Sequence, residues 1–147
     1  MAEESIFSKE LDPFKQAAGV FIGTLFMMLL FKSFEWIGVS RDNSLLPWTM
    51  SASGLLFFAI LNSVMSLAYK NQSQYWLRSI LAYILLVAIG SLFSYFVTGV
   101  SISEAQSFRW LYIVFTIGYV VFIAIVRLIR KIVIIAQKQD KALRGEE

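Results

Sequence analysis

Cysteine and histidine are both absent from this sequence. Without them no disulfide, thiolate, zinc-finger spacing or histidine-ligated haem can form, and the commonest general base is missing. No phosphate-cradling or sequence-reading motif is present, so neither a nucleotide site nor a nucleic-acid partner is expected. Charge is scarce as well. Charged residues make up 16% of the 147, against about a quarter in soluble proteins. The formal net charge of +3 is small and unevenly placed, which bears on membrane orientation rather than on nucleic-acid binding. With neither histidine, cysteine nor paired deep carboxylates, acid–base and metal chemistry lack their usual carriers. The chain is therefore read as a non-enzyme with no catalytic residue, metal or cofactor.

What the sequence does have is apolar length. Hydrophobic residues make up 58% of it. Four runs are long enough to cross about 30 Å of hydrocarbon at about 1.5 Å per residue. They cover about 14–39, 47–69, 76–100 and 110–129. The short connections between them imply antiparallel neighbours. The expected fold is all-α: one polytopic membrane domain over 1–147, four transmembrane helices in an antiparallel bundle, with a basic helical extension over about 130–144.

Local signals agree with these runs. Asp12-Pro13 can cap and start the first helix, and Gly99 can end the third. Ser101-Ile-Ser-Glu104 reads as a capping box at the head of the fourth. Trp36, Trp48, Trp76 and Trp110 fall near span ends, where amphipathic rings favour the headgroup zone.

Orientation follows from the basic residues. Lys9, Lys15, Lys70, Arg78, Arg127, Arg130, Lys131, Lys138, Lys141 and Arg144 lie on the side of the termini; Lys32, Arg41 and Arg109 lie opposite. This imbalance predicts cytoplasmic termini in a cell membrane, a bacterial inner membrane being the expected setting. The acidic start MAEESIFSKELD does not read as a cleavable signal, so the first span is expected to remain as an anchor.

Polar residues inside the spans are the candidates for function. Ser51, Asn62 and Ser66 share a narrow arc of the second helix; Ser91, Ser94 and Thr98 form a stripe on the third, and Tyr112, Thr116 and Tyr119 one on the fourth. Such stripes either hydrogen-bond between helices or wall a cavity for an amphiphile, and the pattern is the same in both cases. Asn62, the deepest amide by this reading, is expected to meet the serine and threonine stripe of the third helix. Gly19-Val-Phe-Ile-Gly23 is a GxxxG pattern, which lets another backbone approach closely.

Lys32 and Glu35 sit at i,i+3 near the outer end of the first span, where both can reach water and each other. A proton-coupling carboxylate would have to lie deeper than Glu35 does. On the extension, Arg127, Arg130, Lys131, Lys138 and Lys141 fall within about 100° of arc, with Leu128, Ile129, Ile132, Ile135 and Leu143 mostly opposite. That arrangement suits either anionic lipid or a partner helix. The sequence thus implies an accessory or assembly subunit that meets the lipid bilayer and a protein partner or further copies of itself. The alternative is a small oligomeric transporter or holin-like pore.

Overall fold

The computed structural model describes residues 12–38, 45–67, 69, 72–105 and 107–145. All regular structure among them is helical: α1 (Pro13–Trp36), α2 (Leu46–Ser66), α3 (Gln72–Thr98) and α4 (Phe108–Leu143). Each helix is long and apolar enough to cross a membrane. Lys9, Arg41, Lys70 and Asn71, the first residue of an N-glycosylation acceptor sequence Asn-Gln-Ser, lie outside the described residues.

The helix ends follow from local chemistry. Asp12 caps α1, its carboxylate accepting from Phe14 N at 3.3 Å, and Pro13 occupies the first turn, where its missing N–H costs nothing. Gly99 stops α3 at φ 70°, a conformation that a Cβ would oppose, and donates its N–H to the Tyr95 carbonyl at 2.7 Å. The fourth element runs unbroken from Phe108 to Leu143, so the basic extension is the same helix as the last span rather than a separate one. No glycine or proline stands between Tyr119 and Arg144 to interrupt it.

Two terminal features differ from expectation. Glu104 does accept from Ser101 N at 3.3 Å, but Ser101 Oγ pairs with Ser103 Oγ at 2.9 Å, and this half-box closes an isolated turn. Helix α4 starts four residues later, at Phe108, because Ala105 is first drawn fully into the core. Trp48 is the second. It is buried edge-on against Tyr112, ring centroids 6.0 Å apart, rather than placed at an interface. Its helix is the central one, and neighbouring elements enclose its first turn.

That centrality is built from small side chains. Helix α2 packs against α1, α3 and α4, and α1 also against α3. A Cβ at Gly54 would overlap Thr24 of α1, and one at Gly90 would overlap Ser51, so these two glycines permit the closest helix approaches. Around Gly19 and Gly23, by contrast, a Cβ would meet nothing within 4 Å. The GxxxG pattern is therefore not the site of close packing within the chain. Between the helices lie Trp48, Leu55, Phe58, Tyr83 and Tyr119, with Tyr83 and Tyr119 stacked 4.4 Å apart. Large apolar side chains such as Ile22, Phe26, Phe57, Ile84 and Phe122 face outward.

Candidate functional site

The most concentrated chemistry is a hydrogen-bonded cluster to which each helix contributes one side chain. Gln16 and Tyr75 are each the fourth residue of their helices, α1 and α3; Asn62 comes from the last turns of α2, and Tyr119 from about a third of the way along α4. All four are buried, Asn62 completely. The Asn62 amide donates to Gln16 Oε1 and to Tyr75 OH, both at 3.1 Å, and its oxygen accepts from Tyr119 OH at 2.9 Å. Gln16 Nε2 donates to Tyr75 OH at 3.2 Å, and that hydroxyl donates to the Asn62 carbonyl at 3.2 Å. Both amide protons of Asn62 are thus engaged, as is its oxygen.

These partners differ from the serine and threonine stripe expected to meet Asn62. Helix α2 ends at Ser66 rather than Tyr69, which places Asn62 about 9 Å from the helix centre, at the level of the α1 and α3 starts. Ser91, Ser94 and Thr98 lie toward the other end of α3. Ser91 is half-buried; Ser94 Oγ donates to the Pro47 carbonyl at 3.3 Å; Thr98 Oγ1 donates back to Ser94 O at 2.7 Å. Ser66 is similarly self-contained, donating to Ser63 O at 2.6 Å.

The aromatic stripe of α4 divides between two levels. Tyr119 joins the cluster, whereas Tyr112 OH donates to Ser51 Oγ at 2.7 Å near the start of α2. Thr116 lies between them, donating to Tyr112 O at 2.7 Å and pairing with Tyr83 OH at 3.2 Å. Gln16, Tyr75 and Tyr83 escaped sequence reasoning. Gln16 and Tyr75 fall at span ends, where polar groups look like headgroup contacts, yet the 4-residue spacing of Tyr75, Ser79 and Tyr83 was a readable stripe.

Beside the cluster, Ser79 Oγ is buried without a hydrogen-bond partner. It borders a cavity of about 20 Å³ with Ser66, Tyr75, Trp76, Ile123 and Arg127, enough for one water. Trp48 Nε1 is the other buried, unpartnered side-chain atom among the described residues.

The basic residues of α4 separate into two groups. Arg127 lies over the Trp76 ring at 5.3 Å, and Arg130 Nη1 donates to the carbonyls of Ser66, at 3.4 Å, and Tyr69. Arg130 is partly buried against the bundle, and Arg127, though exposed, rests on a ring of α3; Lys131, Lys138 and Lys141 are exposed along the rest of the helix. At the opposite end, Lys32 Nζ and Glu35 Oε2 pair at 2.9 Å, with the side chains 50% and 14% exposed.

Chemically, the central cluster is a set of neutral amides and phenols. It contains no nucleophile–base pair and no charge to relay. No three His, Cys, Asp or Glu side chains converge on a metal-sized point among the described residues. What the cluster does is fix four helices at one level, because each of its polar groups would be costly to bury alone. No family model matches the chain, and neither does any curated protein or solved structure.

Proposed function

We propose that the chain is a multi-pass membrane protein, its four helices crossing the bilayer antiparallel with both termini in the cytoplasm, and that it serves as a non-catalytic accessory or assembly subunit. Outward-facing apolar side chains on every helix and an inward-facing polar cluster support the membrane reading, since lipid reverses the usual pattern of a soluble bundle. The alternating directions draw support from early-to-late contacts: Gln16 of α1 with Asn62 of α2, and Ser94 of α3 with Pro47 of α2.

The observation that carries the subunit role is the length of α4. Its 36 residues span about 54 Å, well beyond a hydrocarbon core of about 30 Å. Beyond Val126, nearly every residue is exposed, including Leu128, Ile132 and Ile135, which recur at helical spacing. Such a stripe fits an amphipathic partner helix. A transport path through the single bundle is disfavoured by its filled interior, where Phe58, Tyr83 and Tyr119 pack together.

The test is purification in mild detergent, comparing the native chain with the triple variant Leu128→Gln, Ile132→Gln and Ile135→Gln. The expected result is a partner of fixed stoichiometry that the variant loses while remaining folded. A chain that purifies alone and makes liposomes leak on reconstitution would overturn the subunit reading in favour of a pore.

A further inference from the structure

A trough of about 540 Å³ runs along the outside of the bundle between α1 and α2. Its floor is bare because Gly19 and Gly23 carry no side chain there, while the close contact of Gly54 with Thr24 keeps the two helices together beneath it. Met27, Met50 and Phe57 form its sides. The hydroxyls along it are directed elsewhere: Thr24 Oγ1 donates to Val20 O at 2.8 Å, and Ser53 Oγ to Thr49 O at 2.9 Å. Gln16, also on the lining, turns its amide into the interior cluster, and the rest of the wall beyond Lys15 is apolar. From Lys15 to Met27 it extends about 18 Å, slightly more than one leaflet of a core about 30 Å thick.

Lys15 stands exposed at the mouth, and its charge decides the occupant. The nearby Asp12 carboxylate faces Arg78 at 3.4 Å and caps α1, and among the described residues no acid pairs with the Lys15 ammonium. We propose that this trough is a binding site for a phospholipid with an anionic headgroup, one acyl chain lying over Gly19 and Gly23 and the phosphate meeting Lys15. A lysine at the inner surface is where such lipids are found. A second copy of the chain suits the trough less well. Two-fold pairing along the GxxxG face would bring both Lys15 ammoniums to one depth at the edge of the same crevice, where like charges repel.

The proposal rests on the membrane-spanning part of the reading above and is independent of the partner. If the chain did not enter membranes, it would fractionate without detergent, a result separate from any lipid measurement.

The experiment is native mass spectrometry of the full chain in mild detergent, titrated with phosphatidylglycerol or phosphatidylcholine. The native chain should retain one phosphatidylglycerol in preference to phosphatidylcholine. Gly23→Leu and Gly19→Leu place side chains in the trough and should each weaken retention at least about tenfold, given the apolar contact they displace. Lys15→Gln should retain lipid but lose the headgroup preference. Gly118→Leu, also in open space but on α4, should behave as the native chain. Thermal unfolding identifies any variant that has lost its fold. Retention unchanged in both trough variants overturns the site, and unchanged preference in Lys15→Gln overturns the headgroup assignment. A native dimer that Gly23→Leu dissolves would assign the trough to a second copy.

Discussion

Asn62 is the residue on which the interior turns, because its amide touches three other helices at once. Replacing it with leucine keeps the branched shape, adds some bulk, and removes the acceptor of the Tyr119 hydroxyl and the donor to Tyr75 and Gln16. A polar group left unpaired in a buried site costs about 1 to 3 kcal/mol, so Asn62→Leu should destabilise the bundle by that amount in reversible unfolding. Tyr119→Phe should cost less, about 0.6 to 1.7 kcal/mol, the range of single interhelical hydrogen bonds. The double variant should be milder than the sum of the two, since both remove the same bond. Strict additivity would mean that the 2.9 Å contact contributes nothing. That Asn62 would turn inward was legible from an amide in an apolar run, although it lies near the end of α2 and not at the depth expected. Its partners were not, since Gln16 and Tyr75 lie 46 and 13 residues away and only folding brings them to one level.

At the scale of the element, α4 is both the longest helix and the one that fastens a neighbour. No basic residue stands in the last turn of α2; Arg130 of α4 supplies a charge there, donating to Ser66 O, which also accepts from Tyr69 N, and to Tyr69 O just beyond the helix. Arg130→Gln should therefore lower stability by about 0.5 to 2 kcal/mol. Lys131→Gln removes an equal charge from an exposed position and should have little effect. Thermal unfolding of the two variants in one detergent makes the comparison. Equal losses would show that total charge matters rather than the contact with α2. Helical spacing places Arg127, Arg130 and the lysines on one arc of α4. What spacing could not reveal is that Arg130 reaches the end of α2 and that the exposed Arg127 meets the Trp76 ring, while the three lysines stay in the open.

For the whole molecule, the proposed topology carries its own probe in Asn71-Gln-Ser73, an acceptor sequence for N-glycosylation whose last two residues open α3. With ten lysines and arginines on the side of the termini and three opposite, the connection between α2 and α3 is assigned to the cytoplasm. Expressed in a eukaryotic secretory membrane, the chain should remain unmodified at Asn71. Acceptor sites engineered near Asn43 or Ser103 should be modified. A glycan at Asn71, detected by its shift on electrophoresis and removed by glycosidase, would invert the topology.

By itself the sequence determined four long apolar helices, their approximate ends and the paucity of groups for chemistry. Those properties depend on hydrophobic length, on Asp12-Pro13 and Gly99 at helix boundaries, and on residue types that are present or absent. Only the tertiary structure decided which polar groups meet. Helical periodicity specifies the face of a helix and leaves its depth and neighbour open, so Ser66 could turn back on its own helix while Tyr75 entered the cluster. The same reason separates the glycines: Gly54 lies beneath a neighbouring helix and Gly23 beneath open space, a difference that spacing along one chain cannot encode.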